Sequence, residues 1–347
     1  MRDSPHQKFH ELRVSDIIQE TADCKSVVFD VSDAPEGTFS YLPGQFITLQ
    51  IEQPSGCLRR CYSLSSAPSM DDMFKITVKR VADGKVSNWI NDAVKVGSRI
   101  SVLPPSGRFV LRPEDRDLML FAAGSGITPI ISLIKETLVT TGNRCRLVVA
   151  NRDSGSVIFD REIRDLESRF PRRLSVQHRF DDRDGFIRVE DVRDLVSASL
   201  SDTFFICGPG PFMSTVEQGL KELGVDASRI RLERFTSAVD VPVSTGPGPS
   251  PEGEAILFTI FLEGEEHALS VLPGQTLLDA AIEAGIDVPY SCMAGLCTSC
   301  MATLCSGEVR MADDSGLSPE DKQAGFILTC QSVPSSPAPI TVRYPDF

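Results

Sequence analysis

Histidine is scarce in this 347-residue chain, four in all, and no long uninterrupted apolar run occurs. The longest apolar stretch, Leu118 to Ile134, is broken by Gly124, Gly126 and Pro129. It is too short to span a bilayer comfortably, so no membrane anchor is expected. The opening stretch Met1 to Leu12 is polar, holds two of the histidines and lacks an apolar h-region. It does not read as a signal peptide, and the expected location is the cytoplasm. Positive charge is missing from one end: from Thr236 onward 3 Lys or Arg stand against 15 Asp or Glu, which is −12 of the total −13 and leaves −1 for the first 235 residues. Such an excess is either a solvated face or a field that steers a basic protein partner, and it disfavours nucleic acid. Single cores stop growing well below this length, so three domains are expected.

Cysteine, by contrast, is plentiful, and four of the ten form a pattern. Cys292, Cys297, Cys300 and Cys330 follow C-x4-C-x2-C with one distant Cys, the spacing of plant-type [2Fe-2S] ligation and hence of one-electron chemistry. Gly295 lets the loop from Ser291 to Cys300 wrap closely and aim amide N–H groups at cluster sulfurs. No histidine lies nearby, which excludes a Rieske site. A structural zinc site would prefer CxxC pairs, and disulfides would suit a small secreted domain. Cys24, Cys57, Cys61, Cys145 and Cys305 need no role beyond packing.

Residues 237–254, centred on VPVSTGPGPSPEGE, have the Pro-, Gly- and Ser-rich composition of an exposed linker. Behind it, residues 255–347 read as two strands (Ile256 to Leu262, His267 to Val271), a helix from Thr276 to Ala284 stopped by Gly285, and the cysteine loop, an order that suits a small α+β β-grasp domain. Residues 1–113 show alternating apolar segments at Ser26 to Val31, Gln45 to Ile51, Phe74 to Val81 and Arg99 to Leu103, an antiparallel β-barrel. Residues 114–236 alternate apolar strands with helical stretches, predicting an α/β doubly wound parallel sheet.

Three motifs carry chemistry. Arg60-Cys61-Tyr62-Ser63 puts a guanidinium, a ring and a small hydroxyl on one extended segment, with Arg60 and Tyr62 on the same face. That set suits a flavin: a surface for the isoalloxazine, a cation for its phosphates, a hydrogen-bonding group at N5. Any strand can hold Tyr and Arg, so context matters. Val78-Lys79-Arg80 leads through Gly84-Lys85-Val86-Ser87 into a short helix, whose N-terminus with the Ser87 hydroxyl would receive a pyrophosphate; the plain alternative is a turn with Ser as helix cap. Gly124-Ser125-Gly126-Ile127-Thr128-Pro129 follows an apolar strand and opens a helix, the place for a dinucleotide diphosphate, although Pro at the last position only half meets GxGxxG. Cys207-Gly208-Pro209 ends a later strand, where small residues admit a nicotinamide ring; the alternative is a tight loop.

RxYS, GxxS, GxGxTP and CGP in this order resemble the ferredoxin-NADP reductase superfamily. With the cluster domain last, the whole chain is similar to the reductases of multicomponent oxygenases, among them those of 3-ketosteroid 9α-hydroxylation and phenylacetyl-CoA epoxidation. The resemblance implies that Arg60 binds flavin phosphate, Tyr62 packs on the isoalloxazine, Ser63 sits near N5, and Ser87, with Val78, Lys79, Gly84 and Val86 around it, binds the pyrophosphate. Gly124, Thr128 and Pro129 would form the nicotinamide loop. Cys207, with Gly208 and Pro209, and Glu233 with Phe235 would lie where nicotinamide and flavin meet; Ser63, Cys207 and Glu233 are the catalytic candidates. Phthalate-type reductases use FMN and carry a Gly-rich phosphate loop where this chain has Lys85 to Trp89, so the resemblance favours FAD. In Asn151-Arg152-Asp153, Arg152 suits the 2′-phosphate of NADPH and Asp153 a 2′-hydroxyl; the resemblance favours NADH. Nicotinamide gives up two electrons together and an iron-sulfur cluster takes one, so the implied order is NADH, FAD, [2Fe-2S], then a terminal oxygenase or desaturase. A 3-ketosteroid 9α-hydroxylase-type acceptor is favoured over a fatty-acyl desaturase, phenylacetyl-CoA epoxidase or alkane hydroxylase. A redox-sensing interaction module is the reading from another class.

Overall fold

A computed structural model describes residues 9–53, 56–196, 202–235, 254–293, 295, 297–314, 316–317 and 319–345. The predicted linker, Glu254 apart, lies outside them.

The first unit is one six-stranded antiparallel sheet built from β1 (His10–Thr21), β2 (Cys24–Asp30), β3 (Phe46–Gln53), β4 (Gly56–Ser63), β5 (Phe74–Lys79) and β6 (Arg99–Ser106), in the order β4-β3-β6-β1-β2-β5. A bridge between Leu64 and Ile76 and the bond from Ser65 N–H to the Lys75 carbonyl (2.9 Å) join its two edges, so the sheet closes as a barrel. Ile47, Leu49 and Ile51 alternate inward against Leu58, Ile76 and Val102. The helix α1 (Lys85–Ala93) follows β5, burying Val86 and Ile90 against the same core. Sequence periodicity misses β1: bulges at Val14/Asp16 and Gln19/Thr21 break its alternation after Leu12 and Val14.

The second unit comprises β7 (Leu118–Ala123), α2 (Ile127–Thr140), β8 (Cys145–Asn151), α3 (Asp160–Arg169), β9 (Leu174–Phe180), α4 (Asp181–Asp184), α5 (Val189–Val196), β10 (Thr203–Gly208), α6 (Gly210–Glu222) and β11 (Ile230–Arg234). The strands pair in parallel in the order β11-β10-β7-β8-β9. Strands buried on both faces read as continuous apolar runs, as LMLFAA in β7 does. One core packs α2 and α3 on one face and a second packs α5 and α6 on the other. The order reverses between β7 and β10, and ligands of open α/β sheets bind in the crevice at such a point.

The third unit contains β12 (Ile256–Leu262), β13 (Glu265–Val271), α7 (Leu277–Glu283), β14 (Met301–Ser306), β15 (Val309–Met311), α8 (Pro319–Gln323), β16 (Phe326–Leu328), β17 (Ser332–Pro334) and β18 (Ile340–Arg343). Its main sheet, β13-β12-β18-β14-β16, grasps α7, which is capped by the Thr276 hydroxyl accepting from Asp279 N–H at 3.0 Å.

Barrel and parallel sheet are tied by buried polar groups. Lys135 of α2, 1% exposed, donates to the Ser65 carbonyl (2.9 Å), Asp71 (2.6 Å) and Glu162 (2.8 Å). Beside it Ser132 donates to the Ser66 carbonyl at 2.6 Å, and farther off Arg231 of β11 donates to the Val110 carbonyl at 2.9 Å.

Candidate functional site

Where the three units meet lies a cavity of about 560 Å³. From the barrel, β4 delivers Arg60, Tyr62 and Ser63, β5 delivers Val78 and Lys79, and the turn into α1 delivers Gly84, Val86 and Ser87; all eight line it. The Ser63 hydroxyl is buried and has no hydrogen-bond partner among the described residues, as expected of a group that awaits a ligand. No side chain caps α1. Ser87 instead accepts from Val81 N–H at 3.2 Å, and a Cβ on Gly84 would stand 2.5 Å from the Ser87 hydroxyl. An orphaned hydroxyl, a half-buried ring and an uncapped helix N-terminus facing one cavity fit a flavin dinucleotide, with Arg60 and Lys79 supplying positive charge. Burial pushes the Tyr62 hydroxyl well above its ordinary range, so the ring stays neutral.

At the sheet's switch point, Gly124, Ser125 and Gly126 form a 3₁₀ turn that runs into α2, and Thr128 donates to the Ser125 carbonyl at 3.0 Å. Gly126 passes the end of β10 backbone to backbone: a Cβ there would sit 2.1 Å from the Cys207 carbonyl oxygen. Ser125, Thr128, Glu233 and Phe235 line the cavity; Gly124, Pro129, Cys207, Gly208 and Pro209 shape the turns behind it without lining it. The Cys207 side chain is fully buried in the α2/α3 core beside Leu120 and Ile127. Burial raises its thiol pKa well above the ordinary range, and the neighbouring Glu233, its register partner on β11, adds to this. Arg152 lies apart, exposed and bonded to Asp153 at 2.9 Å, so the two conflicting nucleotide signals face each other.

Desolvation pushes the Glu233 carboxyl up from 4.5 to about 8, so it is protonated at neutral pH and offers an O–H to the cavity. A raised carboxyl costs nothing below its unfolded pKa; the cost grows as pH climbs toward about 8 and is constant above. Glu233→Gln is therefore expected to unfold with the parent near pH 5 and at a clearly higher temperature than the parent at pH 9, measured by thermal melts without nucleotide. Equal melting at both pH values would contradict this assignment.

The cluster loop carries positive φ at Met293, Gly295 and Thr298. A Cβ on Gly295 would meet Gln331 Cγ at 3.0 Å and the Asp313 carbonyl at 3.1 Å. None of the four cysteines is bridged. Their sulfurs group as two contacting pairs, Cys292 with Cys297 and Cys300 with Cys330, which is the donor set that two irons sharing inorganic sulfides require. Amides reach these sulfurs: Cys292 N–H lies 3.4 Å from Cys297 Sγ, and Gln331 Nε2 lies 3.7 Å from Cys330 Sγ. Cys292 and Cys297 also line the flavin-side cavity. Arg59 and Arg108 line it too, and sequence reasoning missed both. The signal for Arg59 was its place beside Arg60; nothing in the local pattern singles out Arg108.

Residues 11–111 match the oxidoreductase FAD-binding domain family, 120–218 the oxidoreductase NAD-binding domain family, and 260–335 the 2Fe-2S iron-sulfur cluster binding domain family. Over 330 residues, 93% of each chain, the sequence is 43% identical to the ferredoxin reductase component of 3-ketosteroid-9-alpha-monooxygenase from Rhodococcus rhodochrous. The chain belongs to the oxygenase-reductase family. The reductase is also 31% identical over 342 residues to one of the subunits of 1,2-phenylacetyl-CoA epoxidase from Escherichia coli K12, covering 94% of this chain and 95% of that one. Its fold matches the solved structure of phthalate dioxygenase reductase with a TM-score of 0.59 at 24% identity, over 97% of this chain and 98% of the other. It is an NAD(P)H-dependent oxidoreductase, and its cofactors are FAD, NADH and a [2Fe-2S] cluster. No described helix is long and apolar enough to cross a membrane.

Proposed function

We propose that the reductase supplies electrons from NADH to a Rieske oxygenase of the 3-ketosteroid 9α-hydroxylase type. The observation that carries this is the 43% identity along nearly the full length of such a component; the phenylacetyl-CoA epoxidase relative is similar at 31%. We divide the chain into a flavin barrel (1–113), a nicotinamide unit (114–236), a linker (237–254) and a ferredoxin unit (255–347), acting in the cytoplasm. FAD, when bound, supplies the conversion of a two-electron donor into single electrons.

The protein's share is placement. Arg60, Lys79 and the α1 N-terminus hold phosphates, Tyr62 presents a ring face, and Ser63 donates a hydrogen bond at the reacting edge. Thr128 and the glycine turn seat the nicotinamide dinucleotide, with protonated Glu233 lining the same cavity as Ser63. Cys292, Cys297, Cys300 and Cys330 hold the cluster. A cavity whose lining residues would hold donor and acceptor side by side would remove part of the entropic barrier to transfer.

An anaerobic visible titration tests the reading. NADH should bleach both flavin and iron-sulfur bands with two-electron and one-electron stoichiometry, NADPH should do so far more slowly, and steroid hydroxylation should follow on adding the purified oxygenase component. Bleaching by NADPH alone, or full bleaching with no transfer to that oxygenase, would refute the donor or the acceptor respectively.

A further inference from the structure

Cys61, which sequence alone assigns no role beyond packing, sits at the junction of the flavin barrel and the cluster loop. Cys61 and Thr48 are cross-strand partners on β4 and β3, on the face opposite Arg60 and Tyr62. Their Sγ and Oγ1 lie 3.3 Å apart, and Thr48 Oγ1 lies 2.5 Å from Ser291 Oγ in the cluster loop. Both hydroxyl-bearing residues are buried, at 0% and 2% exposure. The Cys61 sulfur lies against the Cys292 and Cys297 sulfurs. All three cysteines wall the cavity that Tyr62 and Ser63 wall. Cys61 therefore joins the flavin-cavity strand β4 to the cluster ligands.

We infer that Cys61 is a positioning residue for electron transfer within the molecule: its S–H donates to the ligand sulfurs of the iron nearer the barrel, while Thr48 and Ser291 fix that loop to the flavin-bearing strand. No bond forms or breaks, and the proton stays on Cys61; only an electron crosses. Hydrogen bonds to cluster sulfurs stabilise the more negative, reduced cluster and so raise its potential. The inference rests on the [2Fe-2S] reading of the four cysteines.

The test uses the full-length holoprotein, with the cluster potential read by EPR-monitored redox titration and cluster reduction by stopped-flow. Cys61→Ala should shift the cluster's one-electron equilibrium toward the oxidised form by roughly tenfold at most, ~59 mV. It should also slow cluster reduction while leaving flavin reduction by NADH unchanged. Cys61→Ser, which keeps a donor, should recover most of the potential, and Thr48→Val should slow cluster reduction with little change in potential. If Cys61→Ala fails to assemble its cluster, the Cys61→Ser and Thr48→Val pair decides, and parental behaviour in both overturns the inference. Parental potential and rate in Cys61→Ala also overturn it, alone. A parent protein with no reducible cluster overturns the underlying reading, and this one with it.

Discussion

Cys297→Ser is expected to abolish NADH-driven reduction of a terminal acceptor while NADH-dependent ferricyanide reduction persists. Cys297 belongs to the sulfur pair next to the flavin cavity, in contact with Cys292. Losing even an outer-shell partner of a metal site costs 10- to 100-fold, so losing a ligand should cut cluster-dependent turnover by at least about 100-fold. Ferricyanide takes electrons at the flavin, whose binding groups Arg60, Tyr62 and Ser63 lie on the barrel. Side-by-side assays with ferricyanide and with the oxygenase component measure the ratio. Equal loss of both would mean that the loop holds the flavin site together rather than carrying electrons from it.

Gly126→Ala should be nearly as damaging, at the other end of the cavity. The added methyl would lie 2.1 Å from the Cys207 carbonyl oxygen, 2.4 Å from its carbon and 2.7 Å from Gly208 N. All three are backbone atoms of a central strand, so no side chain can swing away. Overpacking of a tight site costs about 1–3 kcal/mol, and the rigid neighbours place this one at about 3 kcal/mol. The nicotinamide unit should melt several degrees lower and KM for NADH should rise, with flavin content unchanged. Gly142→Ala, where nothing lies within 4 Å, is the control and should match the parent. A Gly126→Ala protein with parental melting and KM would show that the turn can open freely.

The sequence was most legible where one physical signal dominated. The run LMLFAA announced a strand buried on both faces, and the cysteine spacing announced a two-iron site. The barrel was legible where alternation was clean, as at Phe46–Gln53, and illegible at His10–Thr21, where two bulges shift the register. Helix α5 and strand β11 escaped because they are short and only half apolar. At the site, motif residues were readable and the contacts between units were not. Nothing local tells that Lys135 reaches a loop 64 residues away, or that Thr48 meets a serine 243 residues away. Cys207 shows the limit within a motif: the glycines beside it matter through the backbone, while its own side chain turns into the core.

The two seams of the molecule are made of different materials, and this sets which parts can be exchanged. Barrel and nicotinamide unit share Lys135, whose charge is buried among Asp71 and Glu162. A transplanted nicotinamide unit lacking that lysine would strand Asp71 beside an apolar helix, and losing one partner of a buried pair costs about 3–5 kcal/mol. Described contacts between the ferredoxin unit and the barrel include two neutral hydroxyl pairs, Thr48 with Ser291 and Ser106 with Ser299, and one guanidinium on sulfur, Arg59 with Met293. Chimeras that swap the ferredoxin unit between relatives should therefore assemble readily. Those that swap the nicotinamide unit will need Asp71 and Lys135 moved together.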